Sequence, residues 1–179
     1  MLNDLSSRTI NFRLAEPSDA AFINSLRVNE KFNQHLSKTS GDVNAQEKWL
    51  LTYKEREKLG REYYFIIQKN DDNSPIGTVR LYDFIDEKKS FCWGSWILNE
   101  NKTKFSALES ALLIYKIAFE QLDFEMSHFD VRKENVKVIE FHEKLGAKRK
   151  CETLQDIYFE FFKSDFFVLK KNFSKYMVK

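Results

Sequence analysis

The sequence predicts an α/β (α+β) fold: a mixed, mostly antiparallel, twisted sheet of about seven strands with helices on both faces. Two observations lead to this prediction. Short apolar segments typical of strands alternate with amphipathic segments typical of helices along 179 residues, a length that suits a single domain spanning the whole chain. The stretch Phe91–Ala147 has the order strand, helix, strand, helix, which is the pattern of a βαβ crossover. Because ligands of open α/β sheets bind beyond the carboxyl ends of strands, we expect the functional site near Leu98–Ala107.

The N-terminal half is predicted to contain one strand, two helices and a three-stranded antiparallel meander. Apolar and polar residues alternate in the first strand, which ends at a Glu-Pro-Ser-Asp segment able to cap a helix. Polar turns separate the later strands. In order, the predicted segments are the strand Thr9–Ala15, a helix to about Asn29, irregular residues 30–43, the helix Asn44–Leu59, and the strands Glu62–Lys69, Ile76–Ile85 and Ser90–Leu98.

The C-terminal half is predicted to contain the crossover and three further strand-like segments. The long crossover helix carries apolar residues at helical spacing, which indicates a face packed against the sheet. The predicted segments are a helix about Phe105–Leu122, a strand about Ser127–Arg132, the helix Val136–Leu145, the segments Lys148–Cys151, Gln155–Lys163 and Phe166–Lys171, the last two paired as a hairpin across Ser164-Asp165, and a tail from Asn172 that is either a short helix or frayed.

The composition is that of a folded domain and excludes several classes of function. Hydrophobic residues make up 42% of the chain and aromatic residues 15%, which is enough to build a full core. A net charge of only +2 argues against a dedicated nucleic-acid-binding protein. Cys92 and Cys151 are too few and too far apart for a metal site or a disulfide framework, which indicates a reducing compartment. Since the chain lacks a signal-peptide pattern and any run of about 18 apolar residues, we expect a cytoplasmic protein with no membrane partner.

The first chemical signal is the polar joint before the long helix, Lys102–Ala107. The first backbone N–H groups of a helix have no partner within the helix and therefore attract anions. Lys102 and Lys104 add positive charge beside them, so a pyrophosphate would be well held at this joint. A solvated surface joint is the alternative interpretation.

The second signal lies in the short helix after the crossover strand. Asn135 is well placed as its N-cap. His142 follows Phe141 and lies at the margin of the apolar face, where an imidazole can exchange a proton near neutral pH. If His142 acts as an acid, it must be partly exposed in order to regain its proton. The alternative is a half-buried histidine with a structural role.

These residues resemble the GNAT superfamily of acetyl-CoA-dependent N-acetyltransferases. The most specific stretch is NVKVIEFHEKLGAKR, which is close to the family pattern N-x-x-(A/S)-x-x-(L/F)-(Y/H)-x-x-x-G-(F/A). Within the superfamily, the chain is most similar to bacterial amino-sugar-nucleotide N-acetyltransferases of surface-polysaccharide pathways. The resemblance covers about residues 9–171, and its other supporting stretches are FRLAEPSDAAFINSLR, PIGTVRLYDF, WGSWIL and SALESALLIYKIAFEQLDF.

The resemblance implies acetyl transfer from acetyl-CoA to a primary amine without a metal ion. It implies that the end of the strand Ser90–Leu98 pairs with the pantetheine arm and that the joint Lys102–Ala107 cradles the pyrophosphate. His142 takes the place where many members carry a Tyr that protonates the departing thiolate, so it is the expected catalytic residue. The expected coenzyme-binding residues are Trp96, Ile97, Leu98, Lys102, Thr103, Lys104, Phe105, Ser106, Ala107, Asn135 and Phe141.

The chain departs from the family pattern at two places. The family turn (Q/R)-x-x-G-x-(G/A) corresponds here to KTKFSA, without a glycine, so a close approach of the coenzyme to the backbone is less easy and altered coenzyme affinity stays open. Cys92 stands before Trp93-Gly94, where similar sequences often carry an acid. The candidates for the general base are therefore Asp83, Asp130 and a water chain. Cys92 as a covalent nucleophile is disfavoured, since no His–Asp pairing is evident in the sequence.

The resemblance implies that the acceptor is a small amine. More specifically, it implies the amine of an amino-sugar nucleotide. Two alternatives remain: a protein or peptide N-terminal acetyltransferase of the ribosomal-protein type, and a non-catalytic acyl-CoA-binding protein. A monomer and a homodimer are both compatible with the sequence. The residues expected to line the acceptor side, with plain packing as the alternative for each, are Arg27, Trp49, Arg80, Tyr82 and Trp93.

Overall fold

A single sheet of seven strands forms the centre of the molecule, with the strand order β1-β2-β3-β4-β5-β7-β6. The computed structural model describes residues 2–34 and 39–177. Neighbouring strands are antiparallel except for the parallel pair β4–β5. The strands are β1 (Ile10–Leu14), β2 (Tyr63–Lys69), β3 (Pro75–Ile85), β4 (Ser90–Leu98), β5 (Met126–Arg132), β6 (Lys148–Glu152) and β7 (Asp156–Phe162).

The helices lie on both faces of this sheet, as predicted. The crossover helix α4 continues into a turn of π-helix, Ile117–Gln121, rather than running uniformly to Leu122. The prediction of irregular structure for residues 30–43 lies partly outside the described residues, at 35–38, and a short helix occupies its start. The helices are α1 (Ala20–Val28), α2 (Glu30–Asn33), α3 (Val43–Lys58), α4 (Ser106–Lys116), α5 (Val136–Lys144) and α6 (Lys163–Asn172).

Two apolar cores sandwich the N-terminal part of the sheet. Successive residues of a strand point to opposite faces, and in β2 the residues Tyr64, Phe65, Ile66 and Ile67 are all buried. Tyr64 and Ile66 belong to a smaller core beneath α1 and α3. Phe65 and Ile67 belong to a larger core that includes α4.

The C-terminal part of the sheet is covered on one face only. In β5, Phe129 and Val131 are buried while Asp130 is exposed, and in β7 the exposed Tyr158 lies between buried neighbours. Asp130 and Tyr158 share the face of Tyr82 on β3, and all three line one cavity there. The open face of β5 and β7 is therefore continuous with the face that α1 and α3 cover further along the sheet.

The parallel pair β4–β5 separates soon after it begins. Only Ser90 and Phe91 of β4 pair with β5. Further along, the register between β3 and β4 shifts, because Ser95 and Trp96 together oppose one residue of β3. Ser95 has a φ of 47°, and its carbonyl accepts a hydrogen bond of 2.9 Å from the hydroxyl of Thr78. Such a bulge bends its strand, and here it accompanies the opening of a cleft between β4 and β5.

The predicted strand Phe166–Lys171 is wrong, because this segment belongs to helix α6. Phe166 and Leu169 are buried, whereas Phe167 and Val168 are 53% and 62% exposed, so the inward positions are three residues apart as in a helix. Asp165, predicted to lie in a hairpin turn, instead lies in the first turn of α6 and accepts the N–H of Phe162 at 3.4 Å. The C-terminal hairpin is formed by β6 and β7.

Candidate active site

A cleft of about 560 Å³ lies where β4 and β5 separate. One wall comes from the bulged end of β4 and the other from β5 and the start of α5. Side chains of α2 and β3 close it on the side of α1 and α3. The lining residues are Phe32, Arg80, Tyr82, Cys92, Trp93, Gly94, Ser95, Trp96, Phe129, Asp130, Val131, Arg132, Asn135, Val138 and His142.

The segment Lys102–Ala107, which we call the α4 turn, presents free backbone donors. The N–H groups of Lys104, Phe105, Ala107 and Leu108 donate to no acceptor in the described parts of the chain. The ammonium groups of Lys102 and Lys104 form no ion pair with a described carboxylate, and both residues are exposed. An anion at this helix start would therefore meet unused N–H groups and two unpaired cations.

The absence of glycine from the α4 turn has a simple structural reason. Positive φ angles are found elsewhere in the chain and at none of the residues Lys102–Ala107, so the turn requires no glycine. The side chain of Phe105 packs on Tyr176, with ring centres 4.9 Å apart. Ser106 is fully buried, and its N–H already donates to the carbonyl of Thr103 at 3.3 Å.

The end of β4 contributes to the cleft through Trp96. Its indole N–H donates to Ser110 Oγ at 3.0 Å, and its ring packs on Phe141 with centres 5.2 Å apart. Ile97 and Leu98, also expected to bind coenzyme, pair with Thr78 and Gly77 of β3 and do not line the cleft. Asn135 caps α5 by position, but its side chain forms no capping bond with the described residues and lines the cleft.

His142 lies in the cleft wall but is only 4% exposed, so the expected partial exposure is wrong. Rings from other elements enclose it: Phe129 at 4.4 Å and Trp93 at 5.2 Å between ring centres. Burial lowers the pKa of the His142 imidazole to about 3, and Nδ1 has no hydrogen-bond partner among the described residues. At neutral pH the ring is therefore uncharged and holds one donor and one acceptor nitrogen.

Arginine and aromatic side chains form a second surface beside the cleft. This surface, which we call the Arg80 face, consists of Trp49, Arg56, Glu62, Arg80 and Tyr82. The Arg80 guanidinium lies 4.3 Å from the Tyr82 ring centre and 5.5 Å from that of Trp49. Glu62 pairs with Arg56 at 2.6 Å and with Arg80 at 3.4 Å, which holds both guanidiniums near the same indole.

The five expected acceptor residues thus lie in different places. Arg80, Tyr82 and Trp93 line the cleft, and Trp49 packs on Arg80 beside it. Arg27 lies at the end of α1, where its charge opposes the rise in the pKa of Tyr64 that burial causes. Arg56 and Glu62 were missed by the sequence analysis because no local pattern links α3 to the residue before β2.

Asp130 is the one carboxylate among the described lining residues of the cleft. Desolvation, and then the charge of Asp156, raise the pKa of Asp130 above its ordinary value. Asp83, the other carboxylate named as a candidate base, is not among the residues that line the cleft. It lines the adjoining cavity and lies 3.1 Å from His128 Nε2. Burial raises the pKa of Cys92 to about 12, so its thiol stays protonated and is a poor nucleophile.

No group of three or more His, Cys, Asp and Glu side chains among the described residues is placed to hold a metal ion. Within residues 2–34 and 39–177, no helix has the length and apolar character needed to cross a bilayer.

Comparisons with known proteins agree on one family. Residues 9–148 match the family described as acetyltransferase (GNAT) domain. The solved structure of apo FdhC, described as a nucleotide-linked sugar GNAT, is 51% identical, covers 99% of each chain and superposes with a TM-score of 0.93. No curated protein matches the sequence.

More distant solved structures share the fold. A ribosomal-protein-S5-alanine acetyltransferase from Vibrio fischeri is 16% identical over 90% of this chain and 98% of its own, with a TM-score of 0.76. A spermidine N-acetyltransferase SpeG mutant from Vibrio cholerae is 16% identical over 88% and 95%, with a TM-score of 0.71. At such low sequence identity, the similarity shows only that the fold is shared.

Proposed function

The chain belongs to the GNAT acetyltransferase family, and on that premise we propose that it acetylates the primary amine of a nucleotide-linked amino sugar, using acetyl-CoA. The observation that carries the proposal is the 51% identity to a nucleotide-linked sugar GNAT over 99% of both chains. The Arg80 face supports it, because arginine and aromatic side chains suit a diphosphate and a nucleobase. We also place the protein in the cytoplasm, a compartment that suits its free thiols Cys92 and Cys151.

The residues present fit the coenzyme. The α4 turn offers unused N–H groups and the cations Lys102 and Lys104 to the pyrophosphate. Trp96, Asn135 and His142 line the cleft where β4 and β5 part. The Asn135 amide forms no capping bond and His142 Nδ1 has no partner among the described residues, so both can orient a ligand. Acetyl-CoA would supply the activated acetyl group as a thioester.

Asp130 is proposed as the general base. An amino sugar is protonated at neutral pH, and its nitrogen must lose a proton before it can attack a carbonyl carbon. Asp130 lines the cleft and accepts that proton, and its raised pKa makes it a stronger base than an ordinary aspartate. Asp130 passes that proton to solvent. The nitrogen loses a second proton to solvent as the amide forms, and the departing CoA thiolate takes up one proton from solvent, so one proton is released for each acetyl group transferred.

His142 is proposed to act as a neutral hydrogen-bonding group. With a pKa of about 3, it carries no positive charge to donate at neutral pH. Its ring lies against Trp93 and Phe129 in the cleft wall, where water is largely excluded. There a single N–H can hydrogen-bond the reacting groups more effectively than in water.

Arg80 is proposed to bind the diphosphate of the acceptor. It pairs in the sheet with Gly94, so it lies directly beside the part of β4 that lines the cleft. Glu62 neutralises only part of the charge of Arg56 and Arg80 together. Because the α4 turn needs no glycine, the absence of glycine there gives no support to the non-catalytic alternative, and no observation favours a peptide acceptor.

The experiment that tests this function measures CoA release from acetyl-CoA over a panel of acceptors. The panel contains nucleotide-linked amino sugars, matched sugars with a hydroxyl in place of the amine, peptides and polyamines. We expect release with at least one nucleotide-linked amino sugar and none with its hydroxyl analogue. Release with peptides or polyamines alone, or with no member of the panel, would contradict the proposal.

A further inference from the structure

A buried carboxylate lies directly behind the α4 turn. Glu109 is in the first turn of α4 and is 0% exposed. Its Oε2 accepts from the hydroxyl and the N–H of Thr9, at 2.6 and 3.2 Å, and from Ser7 Oγ at 3.3 Å. A carboxylate is costly to bury unless it is hydrogen-bonded, and here the donors come from a segment about a hundred residues away in sequence.

The hydrogen bonds continue from Glu109 into the α4 turn. Thr9 Oγ1 lies 2.7 Å from Thr103 Oγ1, and Thr103 Oγ1 lies 2.9 Å from Ser106 Oγ. Ser106 Oγ in turn accepts the backbone N–H of Thr103 at 2.8 Å. One series of bonds therefore joins the N-terminal segment, the turn and the helix.

The direction of each bond in this series follows from its end at a carboxylate. The hydroxyl of Thr9 donates its one hydrogen to Glu109 Oε2. Thr9 must then accept from Thr103, and Thr103 must accept from Ser106. All three hydroxyl hydrogens point along the series toward Glu109, so the free donors of the turn are backbone N–H groups and the ammonium groups of Lys102 and Lys104.

We infer that this network positions the α4 turn for the pyrophosphate of the coenzyme, and that Glu109 and Thr9 are positioning residues that do not touch the ligand. The inference rests on the proposed function for the identity of that ligand. Family members use glycine in this turn, and glycine lets a backbone approach a ligand closely. Here Thr103 and Ser106 are tied inward instead, so the free N–H groups are held in one arrangement before the ligand arrives.

A second contact from the other end of the chain supports the same turn. The Phe105 ring packs on Tyr176, and the carbonyl of Tyr176 accepts the N–H of Arg8 at 3.2 Å. Arg8 immediately precedes Thr9, so the C-terminal contact and the Glu109 network meet in one segment. The turn is therefore fixed from both sides.

The test uses valine, which keeps the shape of threonine and removes its hydroxyl. The variants are Thr9→Val, Thr103→Val and the double variant, with Thr9→Ser and Thr103→Ser to restore the hydroxyl. Thr52→Val is the matched control, since Thr52 is exposed on α3 and bonds only within that helix. The measurements are the Kd of CoA by calorimetry, the Tm, and the KM for acetyl-CoA against kcat.

We expect each valine variant to raise the Kd of CoA about five- to tenfold, the scale of one or two hydrogen bonds. The Kd of CoA for the double variant should be no higher than that of the single variant with the higher Kd, because both changes break the same series of bonds. The serine variants and Thr52→Val should bind within about twofold of the wild type, and kcat at saturating acetyl-CoA should change little.

The outcomes separate the network from the proposed function. A lower Tm with an unchanged Kd in the valine variants would show a structural role only and overturn the inference, as would a fall in kcat without a change in KM. If the wild type binds CoA but acetylates no nucleotide-linked sugar, the proposed acceptor is wrong while the network is still tested by the same titrations. A wild type that does not bind CoA would overturn both.

Discussion

The α4 turn and the Arg80 face differ in how their charges are held. The cations of the turn, Lys102 and Lys104, are exposed and unpaired among the described residues, and the neighbouring N–H groups are unused. On the Arg80 face, Arg56 and Arg80 are paired with the buried Glu62 and packed near Trp49. The α4 turn therefore resembles an open anion site, whereas the Arg80 face resembles the preformed wall of a pocket. They should respond differently to mutation and to salt.

The largest expected effect is at Asp130, which lines the cleft together with Arg80 and Tyr82 of the Arg80 face. Asp130→Asn removes the proposed base and should lower kcat by about a hundredfold or more while the Kd of CoA stays unchanged. Asp83→Asn is the matched control, because Asp83 does not line the cleft. Steady-state kinetics of both variants check this. A kcat for Asp130→Asn close to that of the wild type would remove Asp130 from the mechanism.

The pH profile sharpens the same prediction. A base works only when deprotonated, so activity should fall as the pH drops through the pKa of Asp130. Because that pKa is raised, the fall should begin at a higher pH than for an ordinary aspartate, whose pKa is about 4. In Asp130→Asn the residual activity should instead follow the unprotonated fraction of the substrate amine, so its acidic limb should move to the higher pH at which the amine titrates.

The next largest effect should separate the acceptor from the coenzyme. Arg80→Met keeps the aliphatic stem near Trp49 and Tyr82 but removes the charge, so we expect the acceptor KM to rise about tenfold or more. The KM for acetyl-CoA should not change. Arg149→Met removes an exposed arginine on β6 and serves as the control. If both KM values rise together, the two surfaces do not act separately.

A smaller and salt-dependent effect is expected at the α4 turn. Lys102→Glu combined with Lys104→Glu should weaken CoA binding about tenfold at low ionic strength, and the loss should shrink as salt is added. Lys88→Glu with Lys171→Glu makes the same change in net charge at exposed sites elsewhere. Calorimetry at two ionic strengths provides the comparison. An equal loss in both double variants would indicate a general effect of charge rather than a local site.

The smallest expected effect is a change in stability with pH, and it is expected at His142. The folded-state pKa is lowered to about 3 from an ordinary value of 6.5, so the unfolded chain binds more protons between those pH values. Stability should therefore be fully present above about pH 6.5 and fall on acidification by about 1.4 kcal/mol per pH unit. His142→Phe should remove this slope, as measured by chemical unfolding. A slope unchanged in the variant would mean that His142 is not held neutral.

The contrast between the two surfaces also explains what the sequence could predict. The α4 turn is one continuous stretch, and the strand Ser90–Leu98 before it has the predicted bounds. The Arg80 face joins α3, β2 and β3, so Arg56 and Glu62 carried no local signal. The exposure of His142 was predicted wrongly because Trp93 and Phe129, which cover it, come from other elements.

The helix α6 shows the same limit in the fold itself. Phe166, Phe167, Val168 and Leu169 form a continuous apolar run, which a strand and a helix can both contain. Only the tertiary structure shows that the two middle residues face outward. Local patterns therefore predicted the crossover and its neighbouring elements. Contacts between segments distant in sequence determine the burial of His142, the Arg80 face and the helical state of α6.

Identifying the acetylated product is the decisive test of the proposed acetyl transfer to a nucleotide-linked amino sugar. Wild-type protein is incubated with acetyl-CoA and a nucleotide-linked amino sugar, and the product is analysed by mass spectrometry and NMR alongside the CoA released. We predict one acetyl group on the sugar nitrogen for each CoA released. With Asp130→Asn, neither the acetylated sugar nor free CoA should form on the same timescale. Release of CoA without an amide on the sugar, or acetylation of a hydroxyl group, would contradict the proposal.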